Sequence, residues 1–281
     1  MLCPKVCSFG AIEKDGDKVK FDLDKCVLCG SCEEVCPVDA IKIERKAVDK
    51  GAIADHKDVW VFCETTEGRL RSVALELVTE TGAKVHFGRL SSARGVEVIR
   101  RAKEDGLDIT ADVSAHQLYL TEMDISSYNS LNHVIPPLRS QRDREALRLG
   151  LTEGVIDAIC SDHQPHEPDA KHGPYASTQP GMSTLETLLP LVLRLVEEQV
   201  VPLSTALSLL TDKPASILGS DAGILAPGRP ADLCVIDTET EWQFDIRTMS
   251  SRGHNSPFVG WDLKGKARYT IVGGALVYAA E

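Results

Sequence analysis

Four cysteines within eleven residues constrain this chain more than any other feature: Cys26, Cys29, Cys32 and Cys36, with Pro37 directly after the last. The spacing C-x-x-C-x-x-C-x-x-x-C-P presents thiolates to an iron–sulfur cubane from a tight loop and the helical turn after it. Disulfides are the competing reading, and the close spacing, the Cys-Pro end and the lack of a long apolar leader argue against them. A zinc site would leave the third and fourth thiols unexplained. Adding Cys3 and Cys7, six of the nine cysteines fall in the first 36 of 281 residues, so the chain is not uniform. With 43% hydrophobic and 26% charged residues the chain can fold. Its 42 acidic against 31 basic residues leave no broad cationic face for nucleic acid or anionic lipid. No apolar run approaches the roughly 18 residues of a membrane span, so the expected location is cytoplasmic.

This front segment resembles the two-cluster bacterial ferredoxins. Cys36-Pro37-Val38-Asp39-Ala40-Ile41 echoes Cys7-Ser8-Phe9-Gly10-Ala11-Ile12, an internal repeat of about half a module. The resemblance implies that Cys7 completes the set of Cys26, Cys29 and Cys32, giving one full 4Fe-4S site and an electron-transfer role with a redox partner. Cys3 and Cys36 would belong to a second, half-built site. The next stretch, residues 51–78, holds the apolar strand-like Val59-Trp60-Val61-Phe62-Cys63 and the amphipathic Ala74-Leu75-Glu76-Leu77-Val78. It resembles the opening of the electron-transfer flavoprotein alpha subunit. Nothing matches that family's flavin-binding part, so no flavin is expected, and Cys63 reads as a core thiol.

From Thr79 the pattern changes. Lys84–Leu90, Leu107–Val113 and Val155–Cys160 read as strands; Ala93–Asp105, Asp143–Glu153, Ser183–Gln199 and Leu203–Leu210 read as helices. Such alternation predicts parallel βα units. The tail from Ala231 to Val277 turns to short strands with Gly and Asn-Ser-Pro turns. Three motif strings then stand in order: Asp162-His163-Gln164-Pro165-His166 after an apolar strand, Gly223-Ile224-Leu225-Ala226-Pro227-Gly228-Arg229-Pro230-Ala231-Asp232, and Asn255-Ser256-Pro257-Phe258-Val259-Gly260. Together they resemble dihydroorotase of the amidohydrolase superfamily, from about Thr81 to Tyr278. The resemblance implies an α/β fold: the second half of a (β/α)8 barrel over residues 79–229 and a small β domain over 230–281. A ferredoxin-like α+β module over residues 1–50 and the flavoprotein-like piece over 51–78 would precede it. The implied reaction is hydrolysis of dihydroorotate to N-carbamoyl-aspartate in pyrimidine synthesis.

That chemistry needs a metal-bound hydroxide, a carboxylate to take its proton, and groups that hold the substrate carboxylate. By resemblance, Asp162 is the acid/base and a metal ligand, and His116 is a second ligand of a zinc site. His166, Pro180, Gly181 and Arg139 would line the substrate pocket. Taken alone, a loop histidine is as a rule structural and an Asp-His pair a cap; their place in the ordered motifs assigns these two. Four departures stand against turnover. The opening His-x-His is absent. Arg89 replaces a ligand histidine and stays protonated. Gln117 replaces the second of paired histidines, and Ile135 an asparagine. His86, three residues from Arg89 along a strand, is expected on the opposite face and is discounted as a ligand.

A half barrel also leaves an open edge that invites self-association. The chain therefore reads as a composite joined near Val78-Thr79, its zinc site incomplete and its hydrolase part inactive. Two alternatives accompany that reading. One is a noncatalytic dihydroorotase-like partner of aspartate carbamoyltransferase, a role the family includes; the other is a 4Fe-4S electron-transfer protein.

Overall fold

The computed structural model describes residues 12–15, 18–21 and 75–280. The chain divides into two compact units, Met1–Ala52 and Ile53–Glu281. In the first, β1 (Ile12–Asp15) and β2 (Lys18–Phe21) pair antiparallel, with Ile12 opposite Phe21 and Asp15 opposite Lys18. Cys3, Cys7, Cys26, Cys29, Cys32 and Cys36 lie outside the described residues, as does Cys63.

The second unit opens with α1 (Leu75–Thr81), which runs unbroken through Val78-Thr79 and buries Val78 in the core. Strands β3 (Val85–Phe87), β4 (Ile109–Ser114) and β5 (Ala158–Cys160) form a parallel sheet in that order. Helices α2 (Ala93–Glu104) and α3 (Gln141–Thr152) provide the crossovers. β4 is buried along nearly its whole length, as a parallel strand covered on both faces must be. Both crossover helices start on side-chain caps: Ser92 Oγ accepts from Gly95 N, and Ser140 and Asp143 form a capping box. Asp157 binds the sheet to α2, accepting from Lys103 Nζ and from Ala111 N.

Half of a (β/α)8 barrel would bring four strands; the parallel sheet has three among the described residues. Between β4 and α3 the chain instead runs through short 3-10 turns at Ala115–Leu118, Glu122–Ile125 and Ser130–Asn132. Helix α4 (Leu188–Glu197) starts five residues later than its apolar pattern suggests. The backbone before it is drawn elsewhere: Ser183 N donates to Asn255 O, and Thr184 N to His163 Nδ1. After α5 (Leu203–Ser208) and α6 (Asp212–Ile217) come β6 (Leu233–Gln243), β7 (Asp262–Val272) and β8 (Ala275–Ala279), an antiparallel meander. This sheet and the connection from β6 to β7 share one apolar core with the parallel layer, through Leu263 and through Phe244 and Phe258. Gly265 allows the approach, since a Cβ there would sit 2.2 Å from Leu193 Cδ1 of α4. No helix among the described residues is long and apolar enough to cross a membrane.

Candidate functional site at the strand ends

In parallel α/β structures polar function gathers where strands end at their carboxyl side, because the following loops are free of the ladder. Here Arg89 follows β3, Ser114 closes β4 with His116 in the turn after it, and Asp162 follows β5. Arg89 and Asp162 both have positive φ, 60° and 48°, which turns each backbone out of its strand direction.

Asp162 is the hub. Its Oδ1 accepts from Arg89 Nη1 at 3.2 Å and from Gln164 Nε2 at 2.8 Å, and its Oδ2 from Ser114 Oγ at 3.4 Å. The same Arg89 nitrogen reaches Ile135 O at 3.3 Å. Beneath lies Asp112, whose carboxylate accepts from Arg89 N at 2.7 Å and contacts His86 Nε2 at 2.8 Å and Cys160 Sγ at 3.4 Å. Burial pushes the Cys160 thiol well above its ordinary range, and the charge of Asp112 adds to this. His116 is 1% exposed and its Nδ1 has no hydrogen-bond partner. Burial lowers its pKa to about 4; the negative Asp162 opposes the shift and the positive Arg89 adds to it.

Arg89, Asp162 and His116 thus share one electrostatic environment. A metal does not fit it. Arg89 directs a cation, not a ligand lone pair, at Asp162, and no group of three or more His, Cys, Asp or Glu among the described residues could hold a metal ion. Among the described residues, the proposed zinc pair of His116 and Asp162 therefore has no further donor grouped with it. His86 is not a ligand either, although the reason differs from strand-face counting. β3 ends at Phe87, and His86 and Arg89 both bind Asp112, so period-two counting does not extend to Arg89.

The residues expected to touch substrate divide. His166, Pro180 and Gly181 come together: His166 Nε2 donates to Pro180 O at 3.0 Å, and a Cβ on Gly181 would lie 3.0 Å from that ring. Arg139 stands apart, beside Asp143 at the start of α3, its Nε buried without a partner. Gln117 is buried and donates to Pro136 O at 3.0 Å, before which the Ile135-Pro136 bond is cis. Sequence reasoning missed Asp112, Ser114, Gln164 and the clasp made by Asn255. That side chain accepts from His166 N and donates to Gln164 O and Gly181 O. Its Asn-Ser-Pro motif was visible, but its reach across the chain was not.

Residues 69–277 match the amidohydrolase family, and residues 19–42, which contain Cys26, Cys29, Cys32 and Cys36, match the 4Fe-4S binding domain. A dihydroorotase-like protein of Pseudomonas aeruginosa is 45% identical over 215 residues, 76% of this chain and 51% of the relative. One from Pseudomonas putida is 42% identical over 232 residues, 83% and 54%, and a dihydroorotase of Geobacter sp. strain M21 is 42% identical over 199 residues, 71% and 47%. This chain thus spans about half the length of the curated relatives it matches. An L-hydantoinase (dihydropyrimidinase) from Arthrobacter aurescens superposes with a TM-score of 0.69 at 29% identity, over 73% of this chain and 47% of that one.

The flavoprotein resemblance over residues 51–78 gains no support. The amidohydrolase match already covers residue 69, and an alignment of 232 residues in a chain of 281 starts no later than about residue 50. With residues 69–277 matched and the polar cluster at the strand ends, the chain belongs to the amidohydrolase family.

Proposed function

We propose that the amidohydrolase part is a dihydroorotase-like protein that does not turn over and acts as a noncatalytic partner of aspartate carbamoyltransferase. The Arg89–Asp162 ion pair carries this reading. Hydrolysis of an unactivated cyclic amide requires an activated water and a carboxylate able to accept its proton. Asp162 is already taken by a guanidinium, an amide and a hydroxyl. The His166 ring is spent on Pro180 O, and the Gln117 amide on Pro136 O. The residues that survive of the pocket hold loops to one another. In front, Cys7, Cys26, Cys29 and Cys32 are proposed to hold one 4Fe-4S cluster, which supplies one-electron chemistry when bound.

The test uses the full chain purified without oxygen. We expect no dihydroorotate hydrolysis above background with or without added zinc, the same result for Asp162→Ala, and co-elution with aspartate carbamoyltransferase on size exclusion. Zinc-dependent turnover that Asp162→Ala abolishes would replace this reading with the hydrolase. Failure to co-elute would remove the partner. About four iron and four sulfide per chain, lost in Cys26→Ser, are expected for the front module; colourless protein with free thiols would overturn that part.

A further inference from the structure

We propose that Arg89 is the site's own cation: its guanidinium takes the structural place of a metal at the mouth of the parallel sheet, and Asp112, oriented by His86, holds it there. The inference deepens the noncatalytic reading above and rests on it for the absence of a metal.

Charge comes first. The Asp162 side chain is only 8% exposed, and a polar group so buried is stable only where it is paired and hydrogen-bonded. Arg89 provides both, and its Nη1 alone reaches two separate loops, Asp162 after β5 and Ile135 O after β4. A metal ion joins strand ends in the same way, by drawing oxygens from different loops to one positive centre.

Support from below comes second. Arg89 stands at φ 60°, a backbone region that L residues avoid. Asp112 holds it from two sides: the carboxylate accepts Arg89 N at 2.7 Å, and the main-chain oxygen accepts Leu90 N at 2.9 Å. The second carboxylate oxygen meets His86 Nε2 at 2.8 Å, and the other ring nitrogen of His86 meets Thr110 Oγ1 at 2.8 Å. The chain Thr110–His86–Asp112–Arg89–Asp162 is a supported arrangement, not a lone substitution. Asp112 is a positioning residue in it.

The remaining donor comes third. His116 Nδ1 is buried with no partner, and the charges of Asp162 and Arg89 both act on the ring. Replacing the guanidinium with an imidazole would place a third nitrogen or oxygen donor with these two, the number a zinc or cobalt site takes from protein.

The experiment compares wild type with Arg89→His, Arg89→Lys, Arg89→Met and Arg89→His/Asp112→Asn in the full chain, where the cysteine background is the same throughout. Cobalt uptake is titrated by absorbance, counting ligation without a thiolate charge-transfer band, and melting is followed by tryptophan fluorescence with and without cobalt. We expect wild type to gain no such cobalt, Arg89→His to gain about one per chain, and Asp112→Asn in that background to weaken its Kd by about tenfold or more. Arg89→Met should melt roughly 5–15 °C lower, with Arg89→Lys between it and wild type. In Arg89→His, part of the lost Tm should return only with cobalt.

Three results overturn the proposal: wild type takes up nitrogen- and oxygen-ligated cobalt that Asp162→Asn removes, Arg89→His gains none, or Arg89→Met and Arg89→Lys melt as wild type does. Should Arg89→Met be insoluble, Arg89→Lys and Arg89→His decide the question. Loss of carbamoyltransferase binding bears on the partner reading alone and leaves these outcomes unchanged.

Discussion

Replacing Asn255 with alanine tests whether one buried amide joins the three segments that shape the site. Its Oδ1 accepts from His166 N at 2.7 Å, and its Nδ2 donates to Gln164 O at 3.0 Å and to Gly181 O at 3.1 Å. Asn255 is 4% exposed, so water cannot readily replace these bonds. A typical bond contributes about 0.5–1.5 kcal/mol, and a buried group left unsatisfied costs about 1–3 kcal/mol. With three bonds lost and partial relaxation, Asn255→Ala should lower stability by about 2–4 kcal/mol. In urea the midpoint should fall by roughly 1–2 M with m unchanged. Amide exchange at His166, whose N–H the Asn255 side chain accepts, should quicken along with it. Asn255→Asp sharpens the test, because it keeps the acceptor for His166 N but sets a carboxylate against two carbonyl oxygens; it should be at least as damaging as alanine. A loss below about 0.5 kcal/mol, or an aspartate variant milder than the alanine one, would refute the clasp.

Three further outcomes are expected. At Gly181, φ is 130° and a Cβ would lie 2.6 Å from Gln164 Cβ, so Gly181→Ala should cost about 1–3 kcal/mol in thermal unfolding. Gly82→Ala, with φ 66° but nothing within 4 Å, isolates backbone strain and should cost about 1 kcal/mol. For His116, burial lowers the folded pKa from 6.5 to about 4, so the unfolded chain binds its proton first as pH falls. Its contribution is complete above pH 6.5 and is lost between there and about 4, up to roughly 3 kcal/mol. Urea titrations across that window should show this slope in wild type and a shallower one in His116→Gln; equal slopes would exclude His116 as the source.

The apolar run Ile156-Asp157-Ala158-Ile159-Cys160 followed by Asp162-His163-Gln164-Pro165-His166 marks a strand end carrying polar groups, and Asp162 sits there. Arg89 stood out because a guanidinium cannot ligate a cation. Helix α2 and the core of β4 lie where their periodicity put them. Face counting failed at His86 because the positive φ at Arg89 ends the strand period. The start of α4 was misplaced because Ser183 and Thr184 give their backbone donors to Asn255 and His163.

The sequence by itself determined the thiolate spacing of Cys26, Cys29, Cys32 and Cys36, the alternation of strands with helices, and the residue types available at the strand ends. Each of these depends on neighbours within a few positions. Only the tertiary structure decided that Arg89 meets Asp162, 73 residues away, or that Asn255 meets His166, 89 residues away. Those partners are chosen by parallel strand pairing and by the packing of the C-terminal sheet on α4. Such contacts form between distant segments of the chain, and no local pattern or propensity specifies them.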